Sequence, residues 1–156
     1  MLTVATKTAV DMYLVEDNDD FDEFISKNNL VEFFHEHLGQ YGDPEEDIER
    51  SIDYALSNNE EGKGGFVLIA CDEDEIVGGV VINDTAMGGY IPEHILVYVA
   101  VDKKMRGEGI GGELISNAIE KCDGDVALHV EYDNPAKRLY ERIGFESKYA
   151  EMRYSN

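Results

Sequence analysis

The chain has 156 residues, 43% of them hydrophobic, which is enough to bury one substantial core, and a single domain over residues 1–156 is expected. Its 34 acidic residues against 13 Lys and Arg give a net charge of −21, which repels nucleic acid and anionic membrane surfaces. No apolar run approaches the roughly 20 residues that span a bilayer, and Met1 to Thr8 lack the pattern of a secretory leader, so a cytoplasmic location is expected.

The charge is unevenly divided. Residues 1–102 carry 24 acids and 4 Lys or Arg, whereas residues 103–156 carry 10 acids and 9 Lys or Arg. The acidic part suits cationic small molecules or basic peptide ends, although solubility or salt adaptation would produce the same excess. Cys71 and Cys122 have neither metal-ligand spacing nor a framework of pairs, so both are read as reduced thiols.

Ala9 to Glu16 reads as a short strand that ends in the acidic turn Asp17 to Asp20. Phe21, Phe24, Ile25, Leu30, Val31, Phe34 and Leu38 then recur at helical spacing, and Gly39 with Gly42 stops the run. A second helix starts with Asp43 as N-cap, Pro44 at the first helical position and Glu46 behind it. From Gly65 the period changes. Phe66–Cys71 and Ile76–Ile82, separated by the acidic turn Asp72 to Glu75, form an antiparallel hairpin pattern. A loop from Asp84 to Pro92 leads to the long strand His94–Val101. A helix (Glu113 to Lys121), a strand (Val126 to Tyr132), a short helix (Pro135 to Ile143) and one or two terminal strands after Phe145 complete the order.

The most informative segment joins the strand ending Val99-Ala100-Val101 to a helix through Arg106-Gly107-Glu108-Gly109-Ile110-Gly111-Gly112. Glycines bring the backbone close to a ligand, and the unpaired amides opening the next helix attract an anion, so a diphosphate cofactor is expected here. Gly107-x-Gly109-x-x-Gly112 with Glu131 about 20 residues on also satisfies the dinucleotide fingerprint, making an NAD(P)-binding oxidoreductase the rival. Too few residues follow Glu131 for the further βα units that fold needs. No Gly-Lys-Ser/Thr follows the turn, which argues against a P-loop. His35 and His37 stand about 200° apart on a helix, wrong for one metal, and no metal is predicted.

Arg106, Gly109 and Gly111, together with Asn134, Ala136, Leu139, Tyr140, Gly144 and Phe145, resemble the two motifs of the GNAT superfamily of acyl-CoA-dependent N-acetyltransferases. The first motif reads Arg/Gln-x-x-Gly-x-Gly/Ala; the second reads Asn…Ala-x-x-Leu/Phe-Tyr-x-x-x-Gly-Phe. Asn134 stands six residues before Tyr140, where many members place it seven before. The resemblance implies an α/β (α+β) fold: a mixed, mainly antiparallel sheet with two splayed parallel central strands, flanked by helices. Acetyl-CoA would lie in the splay, held by main-chain groups around Val99, Ala100 and Val101 and by the amides from Gly107 through Glu108, Gly109, Ile110 and Gly111 to Gly112. Arg106, Asn134 and Lys137 would contribute further contacts, with Lys103, Lys104 and Arg138 adding charge. Such backbone donors suit an acidic protein, because they give positive potential without attracting its carboxylates.

In that family the tyrosine matched by Tyr140 protonates the departing thiolate. The reaction expected is direct transfer of an acetyl group to a primary amine in a ternary complex, the acceptor being a cationic small molecule, a polyamine or a peptide N-terminus. Glu93, His94 and Glu131, near the ends of the parallel strands, are the candidates for the base. A non-catalytic acyl-CoA-binding sensor is the second alternative. The resemblance also makes a homodimer plausible.

Overall fold

The computed structural model describes residues 1–156. Six strands lie side by side in chain order: β1 (Leu2–Val4), β2 (Asp11–Val15), β3 (Gly65–Asp72), β4 (Glu75–Asp84), β5 (His94–Val101) and β6 (Val126–Ala127). Every neighbouring pair is antiparallel except β5 with β6. The hairpin read from the two apolar runs is β3–β4, paired from Gly65↔Asn83 to Asp72↔Glu75. Antiparallel strands ahead of the glycine turn exclude the doubly wound sheet of a dinucleotide-binding domain, which is built from parallel units.

Helices cover both faces. α1 (Lys27–Leu38) and α2 (Glu45–Ala55) pack on one side, burying Leu30, Phe34, Ile48 and Ile52 against Val67, Ile69 and Val81. α3 (Ile110–Lys121) and α4 (Ala136–Ile143) pack on the other, burying Leu114, Ile115 and Tyr140 against Leu68, Val80 and Ile82. A strand covered on both faces needs apolar side chains at every position, which explains the unbroken run in β3. Adjacent glycines in β4 let the helices approach closely. A Cβ on Gly78 would stand 2.9 Å from Leu114 Cδ1, and one on Gly79 would stand 2.9 Å from Phe34 Cζ.

Several boundaries differ from the sequence reading. β1 is an additional strand, short and largely exposed, so no core periodicity announces it. α1 begins at Lys27, capped by Ser26, rather than near Phe21, because Asp22 turns the chain by accepting from the Phe24 and Ile25 amides. Pro44, not Asp43, precedes α2, and no side chain caps that helix. α3 begins three residues before Glu113, inside the glycine turn. The strand read over Val126 to Tyr132 pairs only at Val126–Ala127, and no strand follows Phe145; residues 146–156 are exposed and without regular structure.

Burial also sets how stability responds to alkali. It pushes the Cys71 and Tyr140 groups up to about 12 and the Cys122 thiol up to about 11. The unfolded chain releases these protons at lower pH, so the stabilisation is complete below about pH 8.5 and disappears as pH rises through the folded values. The urea midpoint is therefore expected to be lower at about pH 10.5 than at about pH 8, and Cys71→Ala should narrow that difference.

Candidate active site

β5 has a partner on both edges only at its start. His94 pairs with Val126 and Ile95 with Ala127, and from Leu96 onward the edge away from β4 has no strand beside it. The opening coincides with a bulge, since Val81 pairs with Tyr98 and Ile82 with Leu96, leaving Val97 without a partner in β4. The extra residue puts Val97 and Tyr98 together on the α1/α2 face, while Leu96 and Val99 lie on the α3/α4 face. Past the bulge the main chain alternates. The Asp102 amide donates to the Val77 carbonyl of β4, so strand alternation directs the main-chain groups of Val99 and Val101 to the open edge and those of Ala100 to β4.

The open edge leads into the glycine turn. Residues Arg106 to Gly109 are exposed, and Gly109 caps α3 with φ 84°, a left-handed conformation that a side chain resists. None of the six successive amides from Gly107 to Gly112 donates to a protein acceptor, and the first bond of the helix comes from the Glu113 amide to the Gly109 carbonyl. With no side chain to cap it, the positive end of α3 faces solvent beside the end of β5. Ile110, 2% exposed, anchors this turn from below. Gly111 fits between the two elements, where an added Cβ would stand 3.5 Å from Val101 Cγ2 and 3.6 Å from Leu139 Cδ2.

Tyr140 projects from α4 into the α3/α4 core, 8% exposed and edge-on to Phe145 at 5.9 Å. Burial alone pushes its phenol up to about 12, so it remains a proton donor throughout the neutral range. Other residues singled out from sequence have clear structural work. Arg106 donates from Nε to the Val101 carbonyl at 3.2 Å and from Nη2 to the His37 carbonyl at 2.8 Å, tying the turn to the end of α1. Asn134 Oδ1 accepts the Ala136 amide at 2.9 Å and so starts α4. Lys137 pairs with Glu141 at 3.1 Å, while Lys103, Lys104 and Arg138 are exposed.

The three candidate bases are not gathered at one point. Glu93 accepts the Asp125 amide at 2.7 Å, a bond that holds its carboxyl below the usual range. His94 is buried, with Nδ1 2.8 Å from Asp84 Oδ1 and Nε2 3.0 Å from Asp123 Oδ1, so neither ring nitrogen faces a substrate. Both residues fasten the closed end of the β5–β6 opening. Glu131 is exposed, and only its carbonyl is engaged, by the Asn134 amide.

Two contacts at the opening had no signal in the sequence. Tyr98 donates to Asp43 Oδ2 at 2.5 Å, and the Tyr41 hydroxyl donates to the Asp133 carbonyl at 3.2 Å. These pairs are 55 and 92 residues apart, so no local pattern reveals them. A surface groove of 570 Å³ lies on the outer side of α2 among Glu46, Glu49, Asp53 and Lys63, and includes no residue of β5 or of the glycine turn.

Residues 28–145 match the sequence model of the Acetyltransferase (GNAT) family, a span that includes the open strand, the turn and α4. The chain belongs to the GNAT family. It is 35% identical over 85 residues to the mycothiol acetyltransferase of Brachybacterium faecium, a match covering 51% of this chain and 26% of that protein. The chain thus spans about a quarter of the length of that relative. Among solved structures, the GNAT fold seen here superposes on a ribosomal-protein-alanine N-acetyltransferase from Brucella melitensis biovar Abortus 2308 with a TM-score of 0.63 and 18% identity, covering 95% of this chain and 100% of that one. It superposes on an aminoglycoside N-acetyltransferase in complex with CoA with a TM-score of 0.64 and 14% identity, covering 97% and 99%. The GNAT family uses acetyl-CoA.

Substitutions in the GNAT turn separate backbone strain from packing. Gly109→Ala forces a side chain into a left-handed conformation and is expected to cost about 1–2 kcal/mol. Gly112→Ala meets only ordinary contact, 3.7 Å from Leu139 Cδ1. As a helical replacement it should stabilise by up to about 1 kcal/mol. Thermal unfolding of the free protein should therefore move in opposite directions for the two variants.

Proposed function

We propose that residues 1–156 act as one N-acetyltransferase unit that takes an acetyl group from acetyl-CoA and passes it directly to a primary amine. The observation that carries this reading is the run of free amides from Gly107 to Gly112 beside the unpaired edge of β5. An anion with two linked phosphates matches the first, and an extended arm bearing amides matches the second. Gly107, Glu108, Gly109, Ile110, Gly111 and Gly112 would hold the diphosphate through their nitrogens. Val99 and the amide of Val101, whose carbonyl is taken by Arg106, would pair with the pantetheine arm, spaced by Ala100. Arg106 would act through the shape of the turn, since its guanidinium is engaged with two carbonyls.

Acetyl-CoA supplies an activated thioester. Tyr140 donates a proton or a strong hydrogen bond to the sulfur as it departs; its raised phenol favours the shared hydrogen bond over full transfer to a thiolate of ordinary basicity. The attacking amine must lose a proton, and Glu93 and His94 are held by Asp125, Asp84 and Asp123. Neither is free to take it, so solvent water takes that proton. The neighbours named for ribosomal-protein alanine and for aminoglycosides support an amine acceptor. The acidic helices α1 and α2 favour a cationic one.

The reading is tested in two steps. CoA is expected to raise the unfolding temperature, and NAD(P) to leave it unchanged. Acetyl-CoA incubated with pooled primary amines should then give acetylated products by mass spectrometry; CoA protection without any product would leave a binding module instead.

Tyr140→Phe should lower kcat by about tenfold or more while changing the Kd for CoA much less. Unchanged turnover, with chemistry shown to limit the rate, would remove Tyr140 from the reaction. Because the phenol stays protonated up to about pH 12, the kcat profile of the wild type should show no alkaline fall from this group between about pH 7 and 10.

A further inference from the structure

The loop between α1 and α2 spans the mouth of the splay, and its bonds locate one carboxylate with unusual definition. At Tyr41 the loop is tied to the Asp133 carbonyl on the far side of the opening, and at Asp43 it is tied to the Tyr98 hydroxyl on β5. Tyr98 follows the bulge residue Val97 and lies on the α1/α2 face, opposite the face that holds Tyr140. Asp43 is therefore suspended over the start of the open edge, on the side of the sheet away from the phenol of α4.

Asp43 is exposed, yet no ion pair in the structure includes it. Asp47, one turn further on, has Arg50 at 3.6 Å, and Asp53 has Lys27 at 2.9 Å. Tyr98 supplies a single hydrogen bond to Oδ2, and a carboxylate has about four acceptor positions, so most of them remain open to the mouth. Burial and the neighbouring Asp43 both resist ionisation of the Tyr98 phenol, which keeps it a donor that fixes the carboxylate without neutralising it.

We propose that Asp43, oriented by Tyr98, is the carboxylate that binds the ammonium group of the acceptor and so selects cationic amines. This rests on the acetyltransferase reading and deepens it, naming a specificity-determining residue on the acceptor side. With one ammonium of a polyamine docked there, a second amine that has lost its proton can reach the opening from the α1/α2 side, facing the sulfur end that Tyr140 serves from the α3/α4 side. The contact is a charge-assisted hydrogen bond to a carboxylate already oriented by Tyr98, which gives it more definition than a pair between two mobile side chains.

The experiment is calorimetric titration of the CoA-saturated protein with cadaverine and with its diol analogue. Wild type should bind the diamine and not the diol. Asp43→Asn keeps an oxygen to accept from Tyr98 but removes the charge, and should weaken cadaverine binding at least about fivefold. Glu120→Gln removes an equal charge from an exposed site on α3 and should change it less than about twofold. Equal losses in the two variants would show diffuse attraction to an acidic protein and overturn the assignment, as would a diol bound as well as the diamine. CoA is titrated into wild type beforehand, and failure to bind it would instead overturn the cofactor reading itself.

Discussion

An interior sheet strand that loses its neighbour after two residues must find other partners for its main chain, and that constraint organises this molecule. β5 is paired on both sides at His94 and Ile95, and on one side from Leu96 to Val101. Main-chain groups left open in this way carry a desolvation cost unless water or a ligand satisfies them. The free amides of the following turn extend the same unmet demand for six more residues. The opening at β5 and the uncapped start of α3 thus form two stretches of unsatisfied backbone, joined by a short segment, Asp102 to Met105, whose own amides are bonded.

The two faces of the sheet present different side chains beside that opening. The α3/α4 face brings Tyr140, dry and protonated, from a helix whose start is fixed by Asn134. The α1/α2 face brings Tyr98 and Asp43, and with them a region far richer in acid than in base. The bulge lets one strand contribute to both, because the additional residue changes which face each side chain after Leu96 takes.

Sequence made the central elements legible where periodicity and glycine placement carried a physical demand. The β3–β4 hairpin, the strand His94–Val101, the turn and α4 stand within a residue or two of their expected limits. What escaped was non-local or weakly coded. β1 has three residues without a buried face, and the run from Leu128 to Tyr132 has strand-like composition but no second strand to pair with. The turn at Asp22 depends on side-chain bonds to the backbone that a helical apolar spacing conceals. Motif spacing singled out Tyr140 and the glycines, while the distant partners of Glu93, His94, Arg106 and Asp43 lie roughly 30 to 70 residues away and appear only once the chain is folded.

The clasp made by Glu93 and His94 behaves like the pivot of a pair of tweezers. Asp84, Asp123 and Asp125 grip it from two directions, at the end where the parallel strands still touch. From there the open arm runs six residues, roughly 20 Å at strand rise. A tilt of one degree at the pivot moves the far tip by about 0.3 Å over that length, a displacement comparable to the tolerance within which reacting groups must be held. Side chains that never meet a ligand can in this way set the width of the gap that does.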